Sequence, residues 1–413
     1  MKRIITALAL AGALAAGAEE LDRPSGIQIG TRMTLNPYVS LSFTHDSNVD
    51  SVNKKNDGQS WTVSPGTSLT YKGGNWGLTG QLYYQYHAYS SGYSKQLNQS
   101  SWGESLTYNW SNAQGGGKGW QLMLTESSRF ISQDDDAMSD GGRGIGRDRQ
   151  QADVSGALER RFTDRFHGGV NASYYYLHYD NKVNSYAPLY GWTRWSVGGQ
   201  VGYVVNKWSD LLLAGNYHGY TQDNDSNKYY EWDKIHNIKD RSKGWTVQGG
   251  FGTHATERIT YRVLVGYSHY EYCNHSDNAP TYTISGNWKM TDNWNMMLMG
   301  SRYYSPSETA RGSSALTDTV SWGLAHSMVR GKLTATFDLA YRRQEHPYNT
   351  YSDNDYRTDI GTARFGLNYT INRFVGVFGS LEYQKSWYSG PGGLTSQYDY
   401  DRWRATVGMR LTY

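Results

Sequence analysis

The chain alternates apolar and polar residues with a period of two, repeatedly and almost to its last residue. Its final segment, WRATVGMRLTY at residues 403–413, places Trp, Ala, Val, Met, Leu and Tyr on one face and Arg, Thr and Gly on the other. The same period recurs in the segments 76–86, 195–205 and 333–341. This period indicates β-strands with one apolar and one wetted face, and helical periodicity has no comparable support. The sequence therefore predicts an all-β protein.

Composition sharpens this prediction because the chain is both polar and aromatic. Of its 413 residues, 38% are hydrophobic, 15% are aromatic and only 19% are charged, and there are 36 Tyr, 15 Trp and 47 Gly. This bias favours strands and turns over helices, and the aromatic content argues against a disordered chain. After residue 18, no apolar run approaches the roughly 18 residues of a transmembrane helix, which excludes a helical membrane protein.

The first residues have the features of an export signal. Lys2 and Arg3 precede an apolar run that ends in the small-residue cleavage pattern AGA at residues 16–18. We therefore predict a Sec signal peptide over residues 1–18. Without this segment the chain has 38 basic and 37 acidic residues, so its charge gives no reason to expect a nucleic-acid partner. The single Cys273 cannot form a disulfide within the chain.

The connections between strands fall into two classes that strictly alternate along the sequence. Short turns alternate with longer polar loops, and the longer loops include residues 132–148, 222–243 and 274–278. Together they separate about 18 strands, with 16 and 20 as alternatives, each long enough to cross a bilayer when tilted. Outer-membrane barrels show this asymmetry, with short periplasmic turns and long extracellular loops.

We therefore predict a single transmembrane, antiparallel, up-and-down β-barrel over residues 35–413, preceded by a short periplasmic segment over residues 19–34. Closure of the sheet satisfies every backbone group inside hydrocarbon, which an open sheet cannot do. Eighteen tilted strands enclose a radius of roughly 18 Å, which is too wide for wall side chains to fill. The longest loops, 132–148 and 222–243, are the predicted constrictions of a water-filled lumen.

Aromatic residues near the strand ends predict two interfacial girdles on the outside of the barrel. The girdle beside the short turns is predicted to contain Trp76, Trp120, Phe166, Trp294 and Phe374. The girdle beside the long loops is predicted to contain Tyr86, Tyr179, Tyr220, Tyr272 and Trp387.

Two N-terminal segments resemble a known family. LNPYVSLSFTHDSNV at residues 35–49 and VSPGTSLTY at residues 63–71 are similar to the opening strands of the putative β-barrel porin 2 group. This resemblance implies an outer-membrane barrel without an assigned cargo, in a family often found in bacteria that export polysaccharide. The last strand, which ends in Tyr413, also resembles the C-terminal signal that the barrel-assembly machinery reads.

Charged residues on the polar face of the last four strands are the candidate pore-lining groups. They lie at comparable heights, so opposite charges on neighbouring strands are expected to form a ladder. The ladder either tunes ion selectivity or only stabilises the wall, and both interpretations stay open. These candidates are Asp338, Arg342, Arg364, Glu382 and Arg404.

Tyr83 and Tyr175, also on the lumen side, are candidates for stacking on sugar rings. The predicted function is therefore an outer-membrane porin or channel for passive or weakly selective passage of small hydrophilic solutes, with saccharides among the candidates. Its expected partners are outer-membrane lipid, lipopolysaccharide and the barrel-assembly machinery. Formation of a homo-oligomer stays open. The alternatives are an exit port for exopolysaccharide and a surface-docking barrel.

An enzymatic alternative rests on the segment HDSN. His45 and Ser47 resemble the general base and the nucleophile of outer-membrane phospholipase A. Thr62, however, stands where that family has an orienting Asn, and that family forms a smaller barrel. No enzyme activity is therefore predicted.

Three acidic loop runs, at residues 134–136, 223–225 and 353–355, offer hard oxygen ligands for calcium. None of them has the complete EF-hand pattern, because the central Gly and the closing Glu are missing at the required offsets. No metal site and no cofactor are predicted.

Overall fold

A computed structural model describes most of the chain, and its regular structure consists of β-strands. The described residues are 26–48, 57–89, 98–112, 118–134, 147–179, 191–222, 241–252, 258–272, 275–306, 314–346, 356–389 and 399–413. Within these ranges, no helix is long and apolar enough to cross a membrane. The predicted signal peptide, Cys273 and nearly all of the three acidic runs lie outside the described residues.

Nineteen strands account for the described fold. In chain order they are β1 (Ile27–Ile29), β2 (Met33–Asp46), β3 (Gly58–Lys72), β4 (Trp76–Tyr89), β5 (Gln99–Ser111), β6 (Gly119–Asp134), β7 (Arg147–Arg161), β8 (Phe166–Tyr179), β9 (Trp192–Asn206), β10 (Ser209–Gln222), β11 (Arg241–Gly252), β12 (Ile259–Tyr272), β13 (His275–Thr291), β14 (Trp294–Pro306), β15 (Ser314–Met328), β16 (Leu333–His346), β17 (Tyr356–Thr370), β18 (Val375–Ser389) and β19 (Tyr400–Thr412).

Strands β2 to β19 form a closed antiparallel barrel of 18 strands, which confirms the predicted fold class. Each strand pairs with the next strand in the chain, and β19 returns to pair with β2 from Arg404 opposite Asp46 down to Thr412 opposite Tyr38. Closure leaves no long free edge, because the backbone donors and acceptors of the first and last barrel strands, β2 and β19, pair with each other.

The short strand β1 was not expected from the sequence. It pairs with the first residues of β2, with Ile27 opposite Leu35 and Ile29 opposite Met33. The last contact of β19 with β2 runs from the Tyr413 amide to the Pro37 carbonyl. The first residues of β2 therefore extend past the end of β19, and β1 pairs with this otherwise free edge.

The predicted loop at residues 274–278 is wrong, because β13 already begins at His275. Ser276 and Asn278 pair in register with Glu271 and His269 of β12. The Asn278 amide oxygen also lies 2.8 Å from the His269 ring nitrogen Nδ1. Polar residues predicted to form a loop thus belong to a strand, where Asn278 finds a polar partner on the neighbouring strand.

The predicted alternation is realised as an apolar outward face and a polar lumen face. On β19, for example, Trp403, Val407 and Met409 are exposed on the outside. The ends of the barrel are called here the turn end, where the short connections lie, and the loop end, where the longer ones lie. The predicted constriction loops lie mostly outside the described residues, since 135–146 and 223–240 are not described.

The aromatic girdles are realised only in part. Trp76, Phe166, Trp294 and Phe374 at the turn end and Tyr86 and Trp387 at the loop end are exposed. Two further residues assigned to the girdle, Tyr179 and Tyr220, are instead buried inside the barrel at 1% and 3% exposure. They face the lumen because each is an odd number of positions from the outward-facing residues of its strand, Tyr174 on β8 and Tyr217 on β10.

Candidate functional site: the barrel lumen

Four of the five predicted pore-lining charges lie in one row across the lumen wall. Strand pairing sets Asp338 opposite Arg364, Arg364 opposite Glu382, and Glu382 opposite Arg404. The row continues across the closure of the barrel, because Arg404 is opposite Asp46. Signs alternate at every step, so each charge has an opposite charge on at least one neighbouring strand. These five residues are called the ion-pair row.

Arg342, the remaining predicted pore-lining charge, lies outside this row. It lies four residues nearer the loop end than Asp338, opposite Thr319 on β15 and Ile360 on β17. It shares the lumen face with Asp338 because the two positions differ by an even number of residues. The predicted ladder thus contains four of the candidates, and Arg342 stands apart from it.

Asp46 is the best-held member of the row, and sequence reasoning did not assign it to the lumen charges. Its carboxylate accepts hydrogen bonds from Arg402 Nε at 2.7 and 2.9 Å and from Arg404 Nε at 3.2 Å. Arg404 also reaches the Glu382 carboxylate at 3.6 Å. Asp46 and Arg402 are only 6% and 7% exposed, so this cluster is a buried ionic contact between the first and last barrel strands.

Tyr83, a predicted sugar-stacking residue, lies flat against the wall. Its phenol ring covers Gly103 of β5, where an added Cβ would be 2.6 Å from the Tyr83 hydroxyl oxygen. One face of the ring therefore packs on glycine backbone. The neighbouring lumen residue on the next strand is Arg129, which is opposite Gly103.

Tyr175, the second predicted sugar-stacking residue, belongs to an aromatic cluster on the lumen wall. Its ring centroid is 4.7 Å from that of Trp192, and Trp192 is 5.7 Å from Tyr220. The Arg194 guanidinium lies 5.5 Å from the Tyr220 centroid. Sequence reasoning missed this cluster because Tyr220 was assigned to the outer girdle. The useful signal was the alternation of β9, which puts Trp192 and Arg194 on the face opposite Trp195.

On β17 the lumen wall is solvated toward the turn end and covered toward the loop end. Asn368 and Thr370 on β17 are exposed near the short turn. On the same face, Thr358 near the loop end is 2% exposed, and Gln344 on the neighbouring strand is 3% exposed. Thr358 and Gln344 are therefore packed inside protein at the loop end of β16 and β17.

The phospholipase-like residues do not form a catalytic triad among the described residues. The Ser47 hydroxyl oxygen accepts a hydrogen bond from the Trp403 amide at 2.8 Å, and no hydrogen bond joins it to His45 in the described part of the chain. Thr62 faces the lumen, where its hydroxyl lies 2.7 Å from His87 Nδ1, whereas His45 faces outward. The geometry therefore gives no support for a serine hydrolase.

Tyr413, the predicted assembly signal, lies on the outside of the barrel at the turn end. Its side chain is 63% exposed, and its ring centroid is 6.5 Å from that of Phe374. The geometry leaves this aromatic side chain accessible beside the last strand.

Comparison with solved structures finds outer-membrane proteins at very low sequence identity. The FrpB iron transporter of Neisseria meningitidis is 10% identical with a TM-score of 0.46, over 93% of this chain and 82% of that one. The siderophore receptor PirA of Acinetobacter baumannii is 9% identical with a TM-score of 0.45, over 94% and 81%. The outer membrane protein OpdK of Pseudomonas aeruginosa is 11% identical with a TM-score of 0.41, over 92% and 99%.

Sequence comparison finds a family match over the C-terminal part of the chain. Among curated proteins, none matches the chain significantly. Residues 211–413, from β10 to the C-terminus, match the family described as putative beta-barrel porin 2. The segments 35–49 and 63–71, which suggested this family, lie outside the matched region. The match confirms the predicted resemblance: residues 211–413 are similar to the putative β-barrel porin 2 family.

Proposed function

We propose that this protein is an outer-membrane channel for passive, weakly selective passage of small hydrophilic solutes. The observation that carries the proposal is a closed barrel of 18 strands with an apolar outside and a polar inside. Large apolar side chains such as Val197, Val265 and Val407 are at least 56% exposed on the outward face. So much exposed apolar surface is costly in water and suits the hydrocarbon core of a bilayer.

The proposed orientation follows from the two kinds of connection. Short turns face the periplasm and long loops face the outside in outer-membrane barrels. With this orientation Tyr413 is at the periplasmic end, where the assembly machinery would meet the last strand.

Weak selectivity is supported by the balance of charge in the ion-pair row. Asp338, Glu382 and Asp46 are matched by Arg364, Arg404 and the adjacent Arg402. A row with alternating and balanced signs imposes no strong preference for either sign of ion. Its main energetic role is then to bind neighbouring strands together.

Liposome swelling tests the proposal directly. Purified protein is reconstituted into liposomes, which are diluted into isotonic solutions of neutral sugars of increasing size. The expected swelling rate exceeds that of protein-free liposomes and falls as the sugar becomes larger. Swelling no faster than in protein-free liposomes, with the protein shown to be inserted by heat-modifiable migration, would refute passive passage.

A further inference from the structure

The loop-end half of strands β6 to β10 forms a part of the lumen wall whose charge differs from that of the ion-pair row. Here Arg129, Arg149 and Arg194 face the lumen, because they pair in register with the lumen residues Gly103, Tyr179 and Tyr175. In the described part of this half, Asp153 is the one lumen-facing carboxylate. The wall therefore carries an excess of positive charge, whereas the ion-pair row is balanced.

Aromatic rings stand among these arginines. Tyr175 and Trp192 pack with a centroid distance of 4.7 Å and an interplanar angle of 32°, and both side chains are partly exposed. Tyr220 packs against Trp192, and the Arg194 guanidinium lies over the Tyr220 ring. The residues Arg129, Arg149, Tyr175, Trp192 and Arg194 are called the arginine–aromatic wall.

Polar atoms at this wall lack the partners that buried groups normally have. In the described structure no hydrogen bond reaches Arg129 Nε, Arg194 Nε, Trp192 Nε1 or Asp153 Oδ1. His218 on the neighbouring strand β10 is 6% exposed, and neither of its ring nitrogens has a hydrogen-bond partner in the described structure. Buried polar groups are nearly always paired, so these donors and acceptors are groups that a polar ligand at this wall can satisfy.

The chemistry of the wall selects the class of ligand. A guanidinium matches a carboxylate in charge and in bidentate geometry. An aromatic ring offers an apolar face on which the C–H face of a pyranose can pack, and Asp153 and His218 can bond sugar hydroxyls. A ligand that uses all of these groups has both a sugar ring and a negative charge.

We infer that the arginine–aromatic wall binds acidic saccharides, with a pyranose on Tyr175 and Trp192 and separate carboxylates of the saccharide on Arg194 and on Arg129. This inference rests on the proposed channel function and names the solute class for which the lumen has affinity. Tyr83 lies one strand beyond Arg129's neighbour Gly103, so a second sugar unit could contact it along the same wall.

The test measures binding separately from transport. Binding of trigalacturonate, maltotriose and 4-hydroxybenzoate to the detergent-solubilised full chain is measured by calorimetry, and current through planar bilayers is recorded with the same ligands. Trigalacturonate is expected to bind at least about tenfold more tightly than either other compound, since it alone can use the arginines and the sugar-stacking rings together. It is also expected to block the current at concentrations near its dissociation constant.

Matched variants locate the site. Arg194→Gln and Trp192→Leu are each expected to weaken trigalacturonate binding about tenfold. Arg343→Gln, whose side chain faces outward on β16, is the control and should bind like the parent chain. Each variant is compared only if it keeps the heat-modifiable migration of a folded barrel. Tyr175→Phe, which keeps the ring, should retain binding.

Each outcome decides a different claim. Equal binding of trigalacturonate and maltotriose, or binding unchanged by Arg194→Gln, overturns the inference while leaving a conducting channel intact. Equal or tighter binding of 4-hydroxybenzoate overturns the saccharide assignment in favour of small aromatic acids. Binding of trigalacturonate without any current in bilayers supports the site and overturns the proposed channel.

Discussion

At the scale of single residues, Asp46 shows how one carboxylate can join the ends of a chain. It lies on the first barrel strand, and both arginines that bind it lie on the last. Burying charges is costly, and the cost is offset here by several charge-assisted hydrogen bonds to one carboxylate. Removing one partner leaves the other charge buried and uncompensated.

Asp46→Asn is therefore expected to lower the free energy of unfolding by about 3 kcal/mol, because the buried Arg402 and its neighbour Arg404 lose the carboxylate charge that they share. Urea unfolding in lipid, followed by tryptophan fluorescence, measures the change. The control is Arg364→Gln in the same row, whose exposed side chain should contribute no more than about 1 kcal/mol. Equal unfolding midpoints for Asp46→Asn and the parent chain would contradict the assigned role.

Gly408 is a position where a neighbouring ring and backbone lie too close to leave room for a side chain. An added Cβ would lie 2.3 Å from the Phe378 ring and 2.8 Å from the Leu41 carbonyl oxygen. Gly408→Ala should therefore destabilise the barrel by about 1–3 kcal/mol, because ring and backbone must both move. Gly215, where the nearest atom to an added Cβ is 4.0 Å away, provides the control. If Gly408→Ala unfolds at the same urea concentration as Gly215→Ala, the ring does not pack on this glycine.

At the scale of elements, the turn between β15 and β16 is strained. Val329, Arg330 and Gly331 have φ of 53°, 55° and 81°, which places three successive residues in the left-handed region. Hairpin turns use this region, but a β-branched side chain is disfavoured there. The sequence MVRGKL at residues 328–333 contains no Asn-Gly or Asp-Gly signal for the type of this turn.

Val329→Gly is expected to raise the free energy of unfolding by about 0.5–1 kcal/mol, since relief of the left-handed strain exceeds the added freedom of the unfolded chain. Val377→Gly, on the extended strand β18, should have the opposite sign. Urea midpoints of the two variants give the comparison. A lower midpoint for Val329→Gly than for the parent would show that the valine is not strained.

At the scale of the whole molecule, the barrel could be predicted because its signals are local and repeated. The alternation in each strand and the contrast between turns and loops survive an error in any one element, such as residues 274–278. Asp338, Arg364, Glu382 and Arg404 could be grouped because they are on consecutive strands at equal heights.

The arginine–aromatic wall could not be predicted in the same way. Its residues come from four strands, and only the register of the closed barrel sets Arg129 and Arg194 on one surface. A tyrosine near a strand end, such as Tyr220, fits an outer girdle and a lumen wall equally well until its strand's facing is known. The sequence shows the facing of β9 but not which neighbours its residues meet.

Single-channel recording in planar bilayers tests the central claim most directly, because a channel must carry ions through its lumen. The purified, folded protein is expected to produce discrete steps of steady current that scale with salt concentration and with voltage. A protein that inserts and keeps its heat-modifiable migration yet passes no current at any voltage would contradict the proposed channel.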